Sequence, residues 1–445
     1  MMKYGIVALM VVALFSGTGS CAENKVTLAE AIKIALERNH EIKAHQHALS
    51  AQYQDIGIAR SFLLPKVIFE ERFLRTNNPT YSFMAKLNQE RFTTDDFAIG
   101  SLNNPKPLSD FQTSLSFEQL LFAPKANVGL GMAKLEYAAQ DNDYRRKREE
   151  IAFKVSRTFL MVTTAQEYVK AARQTVEDTK EHLRIAELRY DSGLGLYSDV
   201  LRASTAVTEA EQRLVSAQKN LDVAKRALGL LLGMTEAVEA AEETVMVPLM
   251  DLSYYNNASL SRNDVRALTA RFENTKKSVK LAEAGYLPIV GIGGTYQLND
   301  HRKPIGSEGD SWQLMAFLRW ELFDGTKREH ERAKAKSQVA ETQEHLEGLR
   351  DAVSFQVYES YLGVNEAKKN AELSQSALKT AEEGRRLVQV RYESSLSPLI
   401  DLLDAQTSLD HARASAVARE NEYTTAVLNL SYQSGTILKD LKIEE

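Results

Sequence analysis

The chain is written twice. Arg189-Tyr190-Asp191-Ser192-Gly193-Leu194 leads into Asp199-Val200-Leu201-Arg202-Ala203, and 202 positions later Arg391-Tyr392-Glu393-Ser394-Ser395-Leu396 leads into Asp401-Leu402-Leu403-Asp404-Ala405. From 189 to 203 seven of fifteen positions are identical to their counterparts without a gap, and the register holds to Gly233 against Gly435. Nearer the start of each half, Leu63-Leu64-Pro65 corresponds to Tyr286-Leu287-Pro288, and Leu121-Phe122 to Leu322-Phe323. An internal repeat of this kind dictates the architecture before any single motif does. Each half is expected to run helix, strand, loop, strand, long helix, tight turn, long helix. The division is 1–22 as a signal peptide, 23–247 as the first repeat and 248–445 as the second with its linker.

The helices follow a beat of three and four. Val200, Ala203, Val207, Ala210, Leu214, Ala217, Leu221, Ala224 and Leu228 form one seam, matched by Leu402, Ala405, Leu409, Ala412, Ala416, Arg419, Tyr423, Ala426 and Leu430. The preceding helices carry Ala165, Val169, Ala172, Val176, Thr179, Leu183, Ala186 and Tyr190, matched by Ala367, Ala371, Ser374, Leu378, Ala381, Arg385, Val388 and Tyr392. This is coiled-coil spacing, and its alanines let helices approach closely. Proline is absent between Pro124 and Pro248 and between Pro304 and Pro398. An interior proline costs a helix about 3 kcal/mol, so these are the stretches in which helices of about 100 Å are permitted. Gly129 and Gly131 are expected to weaken the start of the first.

Between the helices the polarity alternates with period two. Phe111, Thr113, Leu115, Phe117 and Leu121 oppose Gln112, Ser114, Ser116 and Glu118; Trp312, Leu314, Ala316, Leu318, Trp320 and Leu322 oppose Gln313, Arg319 and Glu321. Val67, Phe69 and Phe73 in the first half, and Val290, Ile292, Tyr296 and Leu298 in the second, mark rougher partner strands, with Gly291, Gly293 and Gly294 suggesting a bend. Runs of about ten residues suit membrane-crossing strands. The two tryptophans fit an aromatic belt or a lipid-facing wall. Polar loops are expected over 77–109 and 299–310. Four strands cannot close a barrel, and an open edge in lipid costs several kcal/mol per unpaired group. Known membrane barrels begin at about eight strands, so two or three copies are required.

The first residues read as a secretion signal: Lys3, an apolar run from Tyr4 to Phe15, then small residues to Ala22. Either cleavage releases Glu23, or Cys21 is retained and lipidated. Cys21 is the only cysteine, so there is no disulfide framework. The 55 basic and 60 acidic residues give a net charge of −5, which speaks against nucleic acid as a partner.

Taken together, these features resemble the TolC-like outer membrane efflux family over 28–435. The resemblance is carried by Leu28-Ala29-Glu30-Ala31-Ile32 through Ala35-Leu36 and Asn39, the two Leu-Pro strand entries and the paired Arg-Tyr…Asp tips. It implies a mainly α fold with membrane β structure. Three chains would give an outer-membrane β-barrel, four strands from each, continued by a long periplasmic α-helical barrel with coiled-coil hairpins. It implies an exit duct for tripartite efflux or type I secretion, opened at its tips by a periplasmic adaptor (membrane fusion protein) and an inner-membrane pump of RND, ABC or MFS type. It also implies outer-membrane lipid around the barrel, no cofactor and no enzymatic activity. By resemblance, Tyr392, Asp401 and Asp404 line the closed entrance and Asp199 braces it. At Ser397 the family's most familiar member has an arginine that bonds across the gate, so this closed state is expected to be held differently. Gly193, Leu194, Gly195 and Leu196, with Ser395, Leu396, Ser397 and Pro398, are the expected docking tips, since an apolar turn exposed at a tip otherwise lacks a purpose.

Other readings compete. The same heptads suit a non-channel periplasmic coiled-coil adaptor or scaffold. Asp401 and Asp404 also suit a helix first turn, and Asp199 suits an N-cap. His40, His45 and His47 splay around a helix without a supporting ligand, so no metal site is expected. The three strand glycines lack the Lys-Ser/Thr of a phosphate loop, and no nucleophile-base signature is present.

Overall fold

The computed structural model describes residues 25–243 and 247–444. The N-terminal signal and Cys21 lie outside them. The first half contains β1 (Lys25–Val26), α1 (Leu28–Arg38), α2 (His40–Ser61), β2 (Lys66–Thr76), α3 (Pro79–Asn88), α4 (Ile99–Asn103), β3 (Leu108–Phe122), α5 (Pro124–Asp191) and α6 (Tyr197–Leu231). After β4 (Glu239–Ala240) the order recurs in α7 (Leu252–Ser259), α8 (Asn263–Glu283), β5 (Ile289–Asp300), β6 (Gly309–Arg319), α9 (Lys327–Glu393) and α10 (Leu399–Ser434), closing with α11 (Ile437–Asp440). The repeat is therefore structural. With 68 residues in α5 and 67 in α9, each long helix measures about 100 Å at 1.5 Å per residue. Helix α5 runs unbroken through Gly129 and Gly131, and Gly131 is roofed by the Lys277 side chain of α8.

Strands β2, β3, β5 and β6 form one antiparallel sheet in that order. The register places Phe69, Leu115, Tyr296 and Trp312 in one row across all four strands, beside the row Val67, Phe117, Gly294 and Leu314. On the other face the corresponding rows are Glu70, Ser114, Gln297 and Ser311, then Ile68, Ser116, Thr295 and Gln313. One face is thus largely apolar and the other largely polar. The apolar face is uncovered by this chain: Phe69 and Leu115 are more than half exposed, and Trp312 is 76% exposed.

Three details differ from the sequence reading. A bulge at Leu121 resets the alternation, so that Phe122 rather than Leu121 pairs with Val290. Strand β5 continues through its glycines, which make room for aromatic rings. A Cβ at Gly294 would lie 2.7 Å from Phe117 Cε1, and one at Gly291 would lie 2.5 Å from Phe317 Cζ. The segment after β2 contains α3 and α4 and is pinned to the sheet by Gln89, whose Nε2 donates to Ser109 O at 3.0 Å and Asp110 Oδ1 at 2.8 Å.

The largest core lies where α1 packs on the middle of α5. Leu28, Ala31, Ile32 and Ala35 meet Ile151, Val155 and Phe159, with Leu228, Leu232 and Ile437 completing the cluster. A capping box at Thr27 and Glu30 starts α1, and Asn39 caps α2 through its side-chain oxygen. Near the end of α6, Gly229 is needed because the returning chain passes over it: a Cβ there would lie 2.0 Å from Glu236 O. Helix propensity alone would favour Gly229→Ala by about 1 kcal/mol. The close approach reverses that sign, so G229A is expected to destabilise the fold by about 1–3 kcal/mol in thermal melts.

Candidate functional site

The two coiled-coil hairpins end in turns with the same hydrogen-bond pattern. In the first, Gly193 N donates to Tyr190 O at 2.9 Å and Leu194 N to Arg189 O at 2.8 Å. In the second, Ser395 N donates to Tyr392 O at 3.0 Å and Leu396 N to Arg391 O at 2.7 Å. Both are helix C-caps closed by a left-handed residue. Gly193 accommodates φ = 71° without strain, whereas Ser395 holds φ = 62° as a non-glycine. The turns project apolar side chains: Leu194 is 72% and Leu396 70% exposed, and Leu196 and Tyr197 are also exposed.

The tips are not equivalent inside. Tyr392 is buried, with Leu399, Leu402, Ala186 and Ala203 around it, whereas its repeat mate Tyr190 is exposed and stands beside Tyr197. Arg189 explains the difference. Its guanidinium lies over the Tyr392 ring at 4.7 Å, donates to Tyr392 O and reaches Ser395 Oγ at 3.0 Å. One arginine of the first hairpin therefore fastens the second, combining a cation–π contact with hydrogen bonds. Burial raises the Tyr392 phenol above its ordinary value; the nearby Arg189 acts in the opposite direction and Asp199 adds to the rise.

Asp199 does not serve as an N-cap. The cap of α6 is Leu196, and Asp199 lies inside the first turn, 3.9 Å from Arg202. Among the described residues it makes no hydrogen bond to Tyr392. Asp401 and Asp404 are exposed near the start of α10, with Asp401 in the first turn. Ser397 Oγ is buried and without a hydrogen bond, so the position does not bond across the tip. Gly195, its counterpart, lies over the end of α5: a Cβ there would come 3.0 Å from Tyr190 N.

Sequence reasoning misses Arg189 as the fastener, although the Arg-Tyr pair is part of the repeated tip motif. It also misses a polar cluster deeper between the hairpins. Asp178 of α5 faces Arg385 Nη2 at 3.6 Å and Arg413 Nη1 at 3.5 Å. The visible signal was an arginine in the seam at Arg385. His40, His45 and His47 do not gather. Among the described residues, Asp300, His301 and Glu308 at the β5–β6 hairpin are the His/Asp/Glu group whose ligand-type atoms converge, within 4.8 Å. His301 Nδ1 is engaged by Glu308, and His301 Nε2 accepts from Arg302 Nε at 3.0 Å.

A family model described as outer membrane efflux protein matches residues 31–234 and 254–436. The chain belongs to this family. A relative, Protein CyaE of Bordetella pertussis, is 24% identical over 427 residues, covering 93% of this chain and 84% of the relative. The fold is shared with the outer membrane protein VceC of Vibrio cholerae, with a TM-score of 0.76, 17% identity and coverage of 92% of this chain and 96% of that one. It is also shared with the open-state structure of the Neisseria gonorrhoeae MtrE outer membrane channel, with a TM-score of 0.74, 16% identity and 98% coverage of both. The family's members are outer membrane efflux and secretion channels rather than enzymes. Membership places this chain in the outer membrane, consistent with a sheet whose apolar face is bare.

The fastening at the tip is measurable. Arg189→Ala removes two hydrogen bonds and the ring contact. Backbone hydrogen exchange over 389–402 is expected to accelerate roughly tenfold, the factor for about 1.4 kcal/mol of lost local stability. The core around Phe159 is expected to exchange at its original rate.

Proposed function

We propose that three copies of this chain form a passive exit duct through the outer membrane. Each would contribute four strands to a twelve-stranded barrel and two hairpins to a helical tunnel in the periplasm. The carrying observation is the open sheet. β2 and β6 are its edges, its largely apolar face is bare, and β6 runs antiparallel to β2, so a neighbouring copy's β2 can continue the alternation. Unpaired edges in lipid are untenable, and twelve strands satisfy the closure that four cannot. A soluble coiled-coil adaptor would have no use for such a sheet. The division into repeats 23–247 and 248–445 is supported by the two matched family segments.

The tips are the entrance in this reading. Three copies would bring Asp401 and Asp404 into two carboxylate rings around a narrow opening, where their charges would attract cations. Tyr392 and Asp199 stand at the contact between the hairpins. The exposed Leu194, Leu196 and Leu396, framed by Gly193, Gly195, Ser395, Ser397 and Pro398, form the surface on which a periplasmic adaptor would dock, with an inner-membrane pump behind it. Names of relatives such as "Proteases secretion protein PrtF" and "Pyoverdine export outer membrane protein OpmQ" span protein and small-molecule export; the cargo class is therefore left to the pump.

The test is ion selectivity of the full-length protein in planar bilayers. Asp401→Ala with Asp404→Ala is expected to reduce the cation-to-anion permeability ratio severalfold while the oligomer persists in detergent. An unchanged ratio would reject the carboxylate rings.

A further inference from the structure

The polar cluster between the hairpins links the two halves of the entrance within one chain. Besides its two arginine neighbours, Asp178 Oδ2 accepts from Gln406 Nε2 at 3.4 Å. Gln406 Oε1 in turn accepts from Arg385 Nε at 3.1 Å. Asp410 Oδ1 accepts from Gln406 Nε2 at 3.0 Å and from Thr175 Oγ1 at 2.8 Å. Thr175 and Asp178 belong to α5, Arg385 to α9, and Gln406, Asp410 and Arg413 to α10. The net must therefore break or slide if the second hairpin swings from the first.

Against this net lies His182 of α5, with no exposed surface. Neither ring nitrogen is hydrogen-bonded, although Gln406 lies beside it. A buried polar ring without hydrogen-bond partners costs stability and calls for a reason. Of the charges that act on it, Arg385 disfavours a proton on the ring, whereas Asp178 and Glu181 favour one, and Asp178 is already shared with Arg385 and Arg413. Glu181, its chain neighbour, is taken up by Arg184 at 2.6 Å. From α6, Arg202, Glu209 and Arg213 line the adjoining cavity with Gln406 and Asp410. A proton on His182 would add a buried cation beside Arg385 and draw Asp178 away from its arginine partners.

We propose that the Asp178–Arg385–Gln406 net is an intrachain latch on the entrance, and that protonation of His182 releases it. The latch rests on the duct reading above. Burial first, and Arg385 second, hold the His182 imidazole below its ordinary value in the latched form, so it is neutral near pH 7. In a released form the ring would be hydrated and regain its ordinary affinity for protons. The latched state is therefore intact above the ordinary histidine range and is lost as pH falls through it. Each unit of depression changes the latched-to-released ratio by about tenfold.

The experiment uses the full-length oligomer in two readouts between about pH 7.5 and about pH 5.5, above the ordinary carboxylate range. One is single-channel conductance with the tip side acidified. The other is the distance between spin labels at Leu194→Cys and Leu396→Cys on the exposed turns. Acidification is expected to raise conductance severalfold and to lengthen or broaden the label distances. His182→Gln, which keeps a polar side chain without a titration, is expected to abolish both responses. Arg385→Gln, which removes the repelling cation, is expected to blunt them. Asp178→Asn is expected to give the released behaviour already at about pH 7.5. Label distances insensitive to pH in a conducting protein, or an undiminished response in His182→Gln, would overturn the latch alone. Tips that separate with acid in a protein that never conducts would instead overturn the duct.

Discussion

Everything in this structure depends on backbone hydrogen bonds that one chain cannot complete. Strands β2 and β6 each present a free edge, and in hydrocarbon no water is available to satisfy it. The sheet face that would meet lipid is already largely apolar, with Trp312 and Leu314 at one edge and Phe69 and Val67 at the other all more than half exposed. In the proposed duct the chain is therefore a fraction of a wall. In that duct, the flanks of the long helices that stay exposed on one chain would find their neighbours in other copies.

The tips show how a duplicated sequence acquires direction. Two turns with the same hydrogen-bond pattern differ in what their tyrosines do: Tyr190 is exposed, whereas Tyr392 is buried beneath Arg189. Arg189 belongs to the first hairpin and holds the second, and the Asp178 net deeper in the interface repeats that arrangement. Polar contacts of this kind are weaker per residue than a packed apolar seam, and their strength changes with charge state. That would suit the proposed entrance, whose hairpins would hold and then yield.

Much of the fold was legible in the sequence because two periodicities were strong. The heptad seam placed Ala203, Ala210, Ala224 and Leu228 inward, and each is buried. The period-two pattern placed Phe117 and Leu115 on one face, and the register bears this out. What escaped was set by tertiary contact. The bulge at Leu121 depends on the partner strand, and the glycines of β5 accommodate rings from its neighbours rather than bend the strand. His182 sits one residue from Leu183 of the seam, and pattern alone gave no reason to expect a buried imidazole there. Asp199 looked like a helix cap, but the chain enters α6 through Leu196.

The most direct measurement is the symmetry and closure of the detergent-solubilised particle by cryo-electron microscopy. A threefold particle with β6 of each copy paired to β2 of the next is expected. A monomer with its sheet edges free, or a particle in which those edges meet no neighbouring strand, would contradict the central claim.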